Sequence, residues 1–203
     1  MKTVTLVYGG VSPEHEISIL SSRSFYQALC TLGYEVNLVG ITKTGKWCLT
    51  EREELFSKDV VEEDGSPVQL LMDPVQPGLI CNGKMIPLSF VIPILHGQGG
   101  EDGTIQGLLE LAGVPYLGCD MESSVCNMNK VITKQLLESA GIKVTPWVFF
   151  TKEQLPSDQA LDDSIKPLSY PLFIKPAHGG SSIGISKVKK PAELFDAICF
   201  ALQ

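Results

Sequence analysis

Short apolar runs alternate with longer segments of helical period over the first half of the chain. Residues 4–8 (VTLVY) read as a buried strand that feeds a turn at Gly9-Gly10-Val11. A helix should follow. Ser12 can cap it, Pro13 suits its first position, and Glu14 and Glu16 complement the positive end of the helix dipole. Ile17, Leu20, Phe25, Ala28, Leu29 and Leu32 share roughly half the helix circumference, which predicts that this face packs inward. Gly33 ends the helix, and residues 35–41 make a second strand. Such a strand–helix–strand unit implies a parallel pair joined by a right-handed crossover.

Beyond residue 42 the pattern is less regular. Lys43-Thr44-Gly45-Lys46 looks like a hairpin turn before Trp47, and the acids, prolines and glycines of 58–84 predict loops with short strands. An apolar run at 90–95 predicts another strand. Pro93 inside it cannot donate to a ladder, so an unpaired position is expected there. A glycine-rich loop follows, then a helix over 104–112 closed by Gly113 and a short strand or turn at 115–118. Residues 121–140 read as one helix ended by Gly141. Strand candidates lie at 147–151, 172–175 and 183–188, and a last helix starts near Pro191. Alternation of this kind belongs to the α/β class, with an open sheet in the first part. A boundary separates residues 1–124 from 125–203.

Composition narrows the picture. Hydrophobic residues make up 44% and charged residues 19%, which suits a folded domain rather than a disordered chain. The formal net charge is -7 with no basic stripe, which argues against nucleic acid as a partner. Six cysteines occur without a C-x-x-C pair, so neither a zinc site nor a disulfide framework is expected, only reduced and mostly buried thiols. The first residues lack a signal-peptide pattern, and no apolar stretch approaches the roughly 20 residues needed to span a bilayer. A cytoplasmic protein without a membrane partner is the expectation.

Three segments carry candidate chemistry. In Gly9-Gly10-Val11-Ser12-Pro13-Glu14-His15-Glu16 the spacing is not that of a dinucleotide-binding loop. Glu14 sits past the carboxyl end of the first strand, where open α/β sheets place ligands, and its carboxylate could hold a substrate ammonium. Stabilising the helix dipole alone would explain it as well. The second segment, His96 to Gly107, packs glycines densely after a buried strand, which permits close approach of a ligand to bare backbone; a plain turn with a satisfied histidine is the alternative. In the third, Lys175-Pro176-Ala177-His178-Gly179-Gly180-Ser181-Ser182-Ile183-Gly184, a strand ends in a point-charge phosphate binder, and a donor-rich loop follows. It is not a Walker A loop, and a plain hairpin with a surface lysine is the other reading. Lys130 stands on the helix that opens the second part, and local sequence alone does not select it.

Together these segments resemble the D-alanine–D-alanine ligases of the ATP-grasp superfamily. His96 to Gly107 matches that family's signature H-G-x-x-G-E-D-G, followed by an aliphatic position and Q-G, without a break. Residues 9–18 are similar to its opening loop and helix, residues 175–184 to its phosphate-covering loop, and Pro146-Trp147 to its run into the ATP-grasp domain. The resemblance implies a Rossmann-like, parallel-sheet (pre-ATP-grasp) domain over 1–124 and an incomplete ATP-grasp nucleotide-binding lobe over 125–203. It also implies a reaction that feeds peptidoglycan synthesis. ATP phosphorylates the carboxylate of one D-alanine, and the amine of a second attacks the acyl phosphate. By the same resemblance Glu14 holds the first D-alanine's ammonium, Ser181 bonds that glutamate, and His96 and Gly97 border the first substrate. Lys130 and Lys175 contact ATP phosphates, with Gly180, Ser181 and Ser182 covering the terminal one.

Two departures stand out: Asn129 where the family often has aspartate, and Gly179 where some members have an acid. Family members continue past residue 203, so the adenine hinge, the lid loop, an arginine and the Mg2+ ligands are expected in that later part. The isolated chain is therefore expected to form no dipeptide. The family suggests a homodimer. A non-catalytic module derived from such a ligase, and a ligase joining D-alanine to D-lactate or D-serine, stay open as alternatives.

Overall fold

A computed structural model describes residues 2–155 and 158–202. The chain divides into two compact units, residues 1–125 and 126–203. In the first, β1 (Thr3–Gly9), α1 (His15–Thr31) and β2 (Glu35–Ile41) form the expected parallel unit, with Leu6 opposite Leu38. The hairpin turn is also present. The Thr42 N–H bonds the Lys46 carbonyl at 2.9 Å, and β3 (Trp47–Thr50) runs back antiparallel. After α2 (Arg52–Ser57), the strands β4 (Ser66–Leu71), β5 (Gly78–Cys81) and β6 (Lys84–Pro87) continue the sheet as an antiparallel meander. Connections this short cannot make a crossover, so the strands must turn back. Asn82 and Gly83, both at positive φ, make the tightest of these turns.

β7 (Val91–Ile94) returns to the far side of β1 and pairs with it in parallel. The sheet order is β6-β5-β4-β3-β2-β1-β7. Only the neighbouring pairs β2–β1 and β1–β7 are parallel, so the sheet is mixed rather than wholly parallel. Pro93 is tolerated because β7 is the last strand in the order. The Val91 N–H already points outward to the Pro115 carbonyl at 2.9 Å, and two residues on, the nitrogen of Pro93 faces the same unpaired side.

Both faces of the sheet are covered. On one, Val7, Val39 and Val91 pack against Ile105, Leu109 and Ala112, which come from α3 (Thr104–Leu111) and its cap. On the other, Leu6, Tyr8, Leu38 and Ile92 meet Ile19 of α1 and Leu55 of α2. Burial on each side of β1 explains its nearly unbroken apolar run, each large side chain contributing about 1.5–3 kcal/mol.

The inward face of α1 differs from the expected one. Ile17, Leu20 and Leu32 are exposed at 52%, 58% and 73%, and Phe25 and Ala28 are exposed as well. The buried arc is His15, Ser18, Ile19 and Ser22, with Tyr26 and Leu29 half-buried behind it. Its spacing is helical, but His15 and Ser18 occupy its first turn because they bond backbone groups of Gly9, Gly10, Val61 and Ile94. The helix also starts later than predicted. Glu14 is its N-cap residue, and Ser12 accepts the Glu14 N–H at 3.1 Å instead of capping deeper.

The expected helix over 121–140 is two helices. α4 (Met121–Met128) stops where Asn129 turns to extended backbone, and α5 (Lys130–Ser139) starts there, its first N–H groups from Val131 and Ile132 donated to the Asn129 side chain at 2.9 and 3.2 Å. That cap stabilises the break by about 1 kcal/mol. In the second unit, α6 (Asp158–Ile165), β8 (Leu172–Ile174), β9 (Ser186–Val188) and α7 (Leu194–Ala201) follow. β8 and β9 pair antiparallel, and Leu172, Val188, Leu194 and Ile198 share a core with Leu161 and Ile165. Residues 147–151 are not a strand. Val148 and Phe150 pack on that core, but among the described residues no strand pairs with the segment. The strand expected over 183–188 shrinks to its last three residues. All six thiols are free, yet only Cys48 and Cys81 are buried, so the expectation of mostly buried cysteines fails.

Candidate functional site

In the first unit β1 has β2 on one side and β7 on the other, so the chain leaves the carboxyl ends of β1 and β7 in diverging directions. That divergence opens a crevice of the kind open α/β sheets use for ligands. From β1 the chain runs through Gly9 and Gly10 to Glu14, and from β7 it runs into the glycine-rich loop. The two meet closely. A Cβ placed on Gly97 would lie 2.9 Å from Glu14 Oε2 and 2.9 Å from Ser12 Oγ. Gly97 also has φ +67°, in the left-handed region that favours glycine.

The glycine-rich loop is held by its own acids. Glu101 accepts the Gly97 N–H at 3.1 Å, and Asp102 accepts the N–H groups of Gly99 at 2.9 Å and Thr104 at 3.1 Å. Partial burial pushes the Asp102 carboxyl up, but the donors from Gly99 and Thr104 outweigh it and leave its pKa below the usual value. Gln106, buried on α3, donates to the Gly100 carbonyl at 2.9 Å. His96 is half-buried, with Nε2 3.2 Å from Ser21 Oγ and Nδ1 3.8 Å from Glu101 Oε1. Thus Glu14, His96 and Gly97 belong to one end of one sheet.

In the second unit, Lys130 and Lys175 line the same cavity, of about 510 Å³. Lys175 follows the end of β8, and Lys130 opens α5. The loop after Lys175 is tied to the start of α5 at three points. The Lys130 N–H donates to the Ala177 carbonyl at 2.9 Å, Lys130 Nζ donates to the Gly179 carbonyl at 2.7 Å, and Asn129 Nδ2 lies 3.2 Å from His178 Nε2. Partial burial, and then the charge of Lys175, lower the Lys130 pKa. Gly180, Ser181 and Ser182 lie farther along this loop, and both serines are exposed at positive φ, 49° and 61°. Non-glycine residues there carry strain of about 1–3 kcal/mol each, a feature found at ligand clamps.

Lys134, Trp147, Phe149 and Phe173 also line the cavity, and none of them was expected as a site residue. Trp147 stacks on Phe149 with ring centres 5.9 Å apart and donates Nε1–H to Glu138 at 2.8 Å. Lys134 sits 5.8 Å from the Trp147 ring centre. The W-V-F-F run was the available signal, but it was read as strand core. A flat aromatic wall beside two lysines suits a ligand with a planar ring and an anionic tail.

Comparison with known proteins covers the chain in two parts. The family profile described as D-ala D-ala ligase N-terminus matches residues 3–119, and that described as D-ala D-ala ligase C-terminus matches residues 136–203. A D-alanine–D-alanine ligase of Acetivibrio thermocellus is 36% identical over all of this chain and 59% of its own length. Among solved structures, the VanG D-Ala:D-Ser ligase from Enterococcus faecalis superposes with a TM-score of 0.84 at 36% identity, over 98% of this chain and 59% of that one. The D-alanine-D-alanine ligase from Coxiella burnetii gives a TM-score of 0.85 at 27% identity, over 98% of this chain and 58% of that one. The chain therefore spans somewhat under two thirds of the length of these relatives.

Proposed function

Since the chain belongs to the D-alanine–D-alanine ligase family, we propose that it is the part of an ATP-dependent ligase that grips the first D-alanine and the nucleotide's phosphates. The reaction joins two D-alanines for peptidoglycan synthesis. The γ-phosphoryl group of ATP passes to the carboxylate of the first D-alanine. The amine of the second attacks that carbonyl carbon, and phosphate leaves, giving the dipeptide and ADP.

The observation that carries this reading is the approach of the Glu14 carboxylate to the bare backbone of Gly97 at the splayed ends of β1 and β7. Glu14 holds the ammonium of the first D-alanine, His96 borders the substrate, and the missing side chain at Gly97 leaves room for it. Lys130 and Lys175 neutralise phosphate charge, as phosphoryl transfer requires, and Trp147 and Phe149 offer a face for the adenine. Gly180, Ser181 and Ser182 cover the terminal phosphate. Excluding water there protects the acyl phosphate from hydrolysis. Mg2+ belongs to the family's chemistry. Among the described residues no group of three or more His, Cys, Asp or Glu side chains is placed to hold a metal.

Similarity to a D-Ala:D-Ser ligase keeps D-serine open as the second substrate. The exposed apolar arc of α1 (Ile17, Leu20, Phe25 and Leu32) supports a homodimer. Among the described residues no helix is long and apolar enough to cross a membrane, and ATP-dependent chemistry fits the cytoplasm. The test is Glu14→Gln in the full-length protein. Loss of a charge-assisted hydrogen bond should weaken D-alanine binding by about 1.5–3 kcal/mol while the ATP affinity holds. An unchanged D-alanine affinity removes Glu14 from the site.

A further inference from the structure

The crevice between the chains leaving β1 and β7 exists only because the ladder between those strands ends. Its last paired residues are Tyr8 and Ile94. Past that pair no backbone bond of the ladder fixes how far the Glu14 segment stands from the Gly97 loop. The Ser18 side chain crosses the gap. Ser18 Oγ accepts the Gly9 N–H at 2.7 Å and donates its proton to the Ile94 carbonyl. Ser18 is fully buried, so water does not compete for either bond. It is also tied to the backbone of the residue proposed to bind the substrate, because its own N–H donates to the Glu14 backbone carbonyl at 2.9 Å in the first turn of α1.

His15 performs a related task beside it. Nδ1 lies 2.6 Å from the Gly10 carbonyl and Nε2 accepts the Val61 N–H at 3.1 Å. A carbonyl only accepts and an amide N–H only donates, so the ring is neutral with its proton on Nδ1. It too is fully buried, and it pins the opening loop to the chain after α2. These two residues are the members of the buried arc of α1 that bond backbone groups at the ends of β1 and β7 and after α2. An apolar arc would bury the sheet more fully but would leave Gly9, Gly10 and Ile94 without these partners.

We propose that Ser18 and His15 are positioning residues, which hold the end of β1 and the end of β7 at the separation that lets Glu14 and the Gly97 loop grip one small amino acid. This rests on the reading of Glu14 and Gly97 given above. Neither residue touches substrate. Ser18 acts as a side-chain rung replacing the next ladder bond, and His15 keeps the Gly9–Gly10 turn from drifting.

The experiment uses the full-length protein with Ser18→Ala, Ser18→Thr, His15→Asn and Glu14→Gln, each assayed for the KM of D-alanine at the first site, the KM of ATP, kcat and the melting temperature. Misplacement of the Glu14 segment should raise the D-alanine KM of Ser18→Ala at least about tenfold and leave the ATP KM within about twofold. Ser18→Thr keeps the hydroxyl and should restore the D-alanine KM even if its methyl lowers the melting temperature. A residue that only stabilises the fold would lower the melting temperature of Ser18→Ala and leave the D-alanine KM unchanged, and that result overturns the proposal. If Ser18→Ala does not fold, His15→Asn, which cannot reach Val61, is judged by the same KM criterion. Should Glu14→Gln weaken D-alanine while the Ser18 and His15 variants do not, the clamp is refuted and the site reading stands. Should Glu14→Gln have no effect, the site reading fails and takes the clamp with it.

Discussion

Replacing Gly97 by alanine adds one methyl group at the tightest point of the crevice. The new Cβ would stand 2.9 Å from Glu14 Oε2 and 2.9 Å from Ser12 Oγ, closer than such atoms pack in folded proteins. Backbone conformation adds to the strain, because φ is +67° and an L-residue there costs about 1–2 kcal/mol. For a chain of this length, that cost should lower the melting temperature by about 2–4 °C per kcal/mol. The Glu14 carboxylate is the movable partner and should swing out of the place where it would receive an ammonium. A displacement approaching 1 Å can cost up to about a hundredfold, so a rise in D-alanine KM of tenfold or more is expected. Gly99→Ala separates the two effects. Gly99 also has positive φ, 81°, but a Cβ there meets nothing within 4 Å. Its alanine variant should lose comparable stability and keep its D-alanine affinity. Steady-state kinetics with D-alanine varied, beside differential scanning calorimetry, measure both quantities. If Gly97→Ala binds D-alanine as well as Gly99→Ala does, the crowding at Gly97 has no bearing on the substrate and the reasoning fails.

Two further outcomes follow from the second unit. Lys130 has a pKa below the ordinary 10.5 because burial, then Lys175, disfavour its charge. Since only the protonated form attracts phosphate, ATP affinity should fall as pH rises, starting lower than for an ordinary lysine. Lys130→Arg, which stays charged, should flatten that decline in calorimetric titrations between about pH 7 and 10, and identical pH profiles would contradict the assignment. Asn129→Ala removes the cap of α5 and the contact with His178, so chemical denaturation should show a loss of about 1 kcal/mol, while Asn129→Asp keeps most of the cap. Equal stability of all three proteins would show that the break between α4 and α5 does not depend on this side chain.

Where sequence and structure agree, the controlling physics is local. Val4 to Tyr8 is apolar because β1 is covered on both faces, and a run of that kind is visible without coordinates. Gly33 and Gly113 end helices at positive φ, a demand of their own backbone alone. Disagreements arise where a residue answers to something far along the chain. Asn129 breaks the 121–140 helix because its side-chain oxygen accepts the N–H groups of Val131 and Ile132 while its amide nitrogen reaches His178, forty-nine residues away. Trp147 to Phe150 looked like a strand since aromatic and β-branched residues favour strands, but pairing needs a neighbour, and these side chains pack instead on a core and line a cavity.

The sequence by itself determined the chemistry on offer: an acid after the first strand, a histidine and glycines after another, and a lysine before a donor-rich loop. Each follows from residue type and short spacing, which a linear pattern displays. Only the tertiary structure decided which surface of α1 faces the sheet. Ser18 and His15 turn inward because Gly9, Gly10, Ile94 and Val61 present backbone groups that must be bonded once buried, and those groups converge only when β1 and β7 lie side by side. Hydrophobic periodicity registers area removed from water and is blind to such partners, so it placed Leu20 and Leu32 in a core they do not enter.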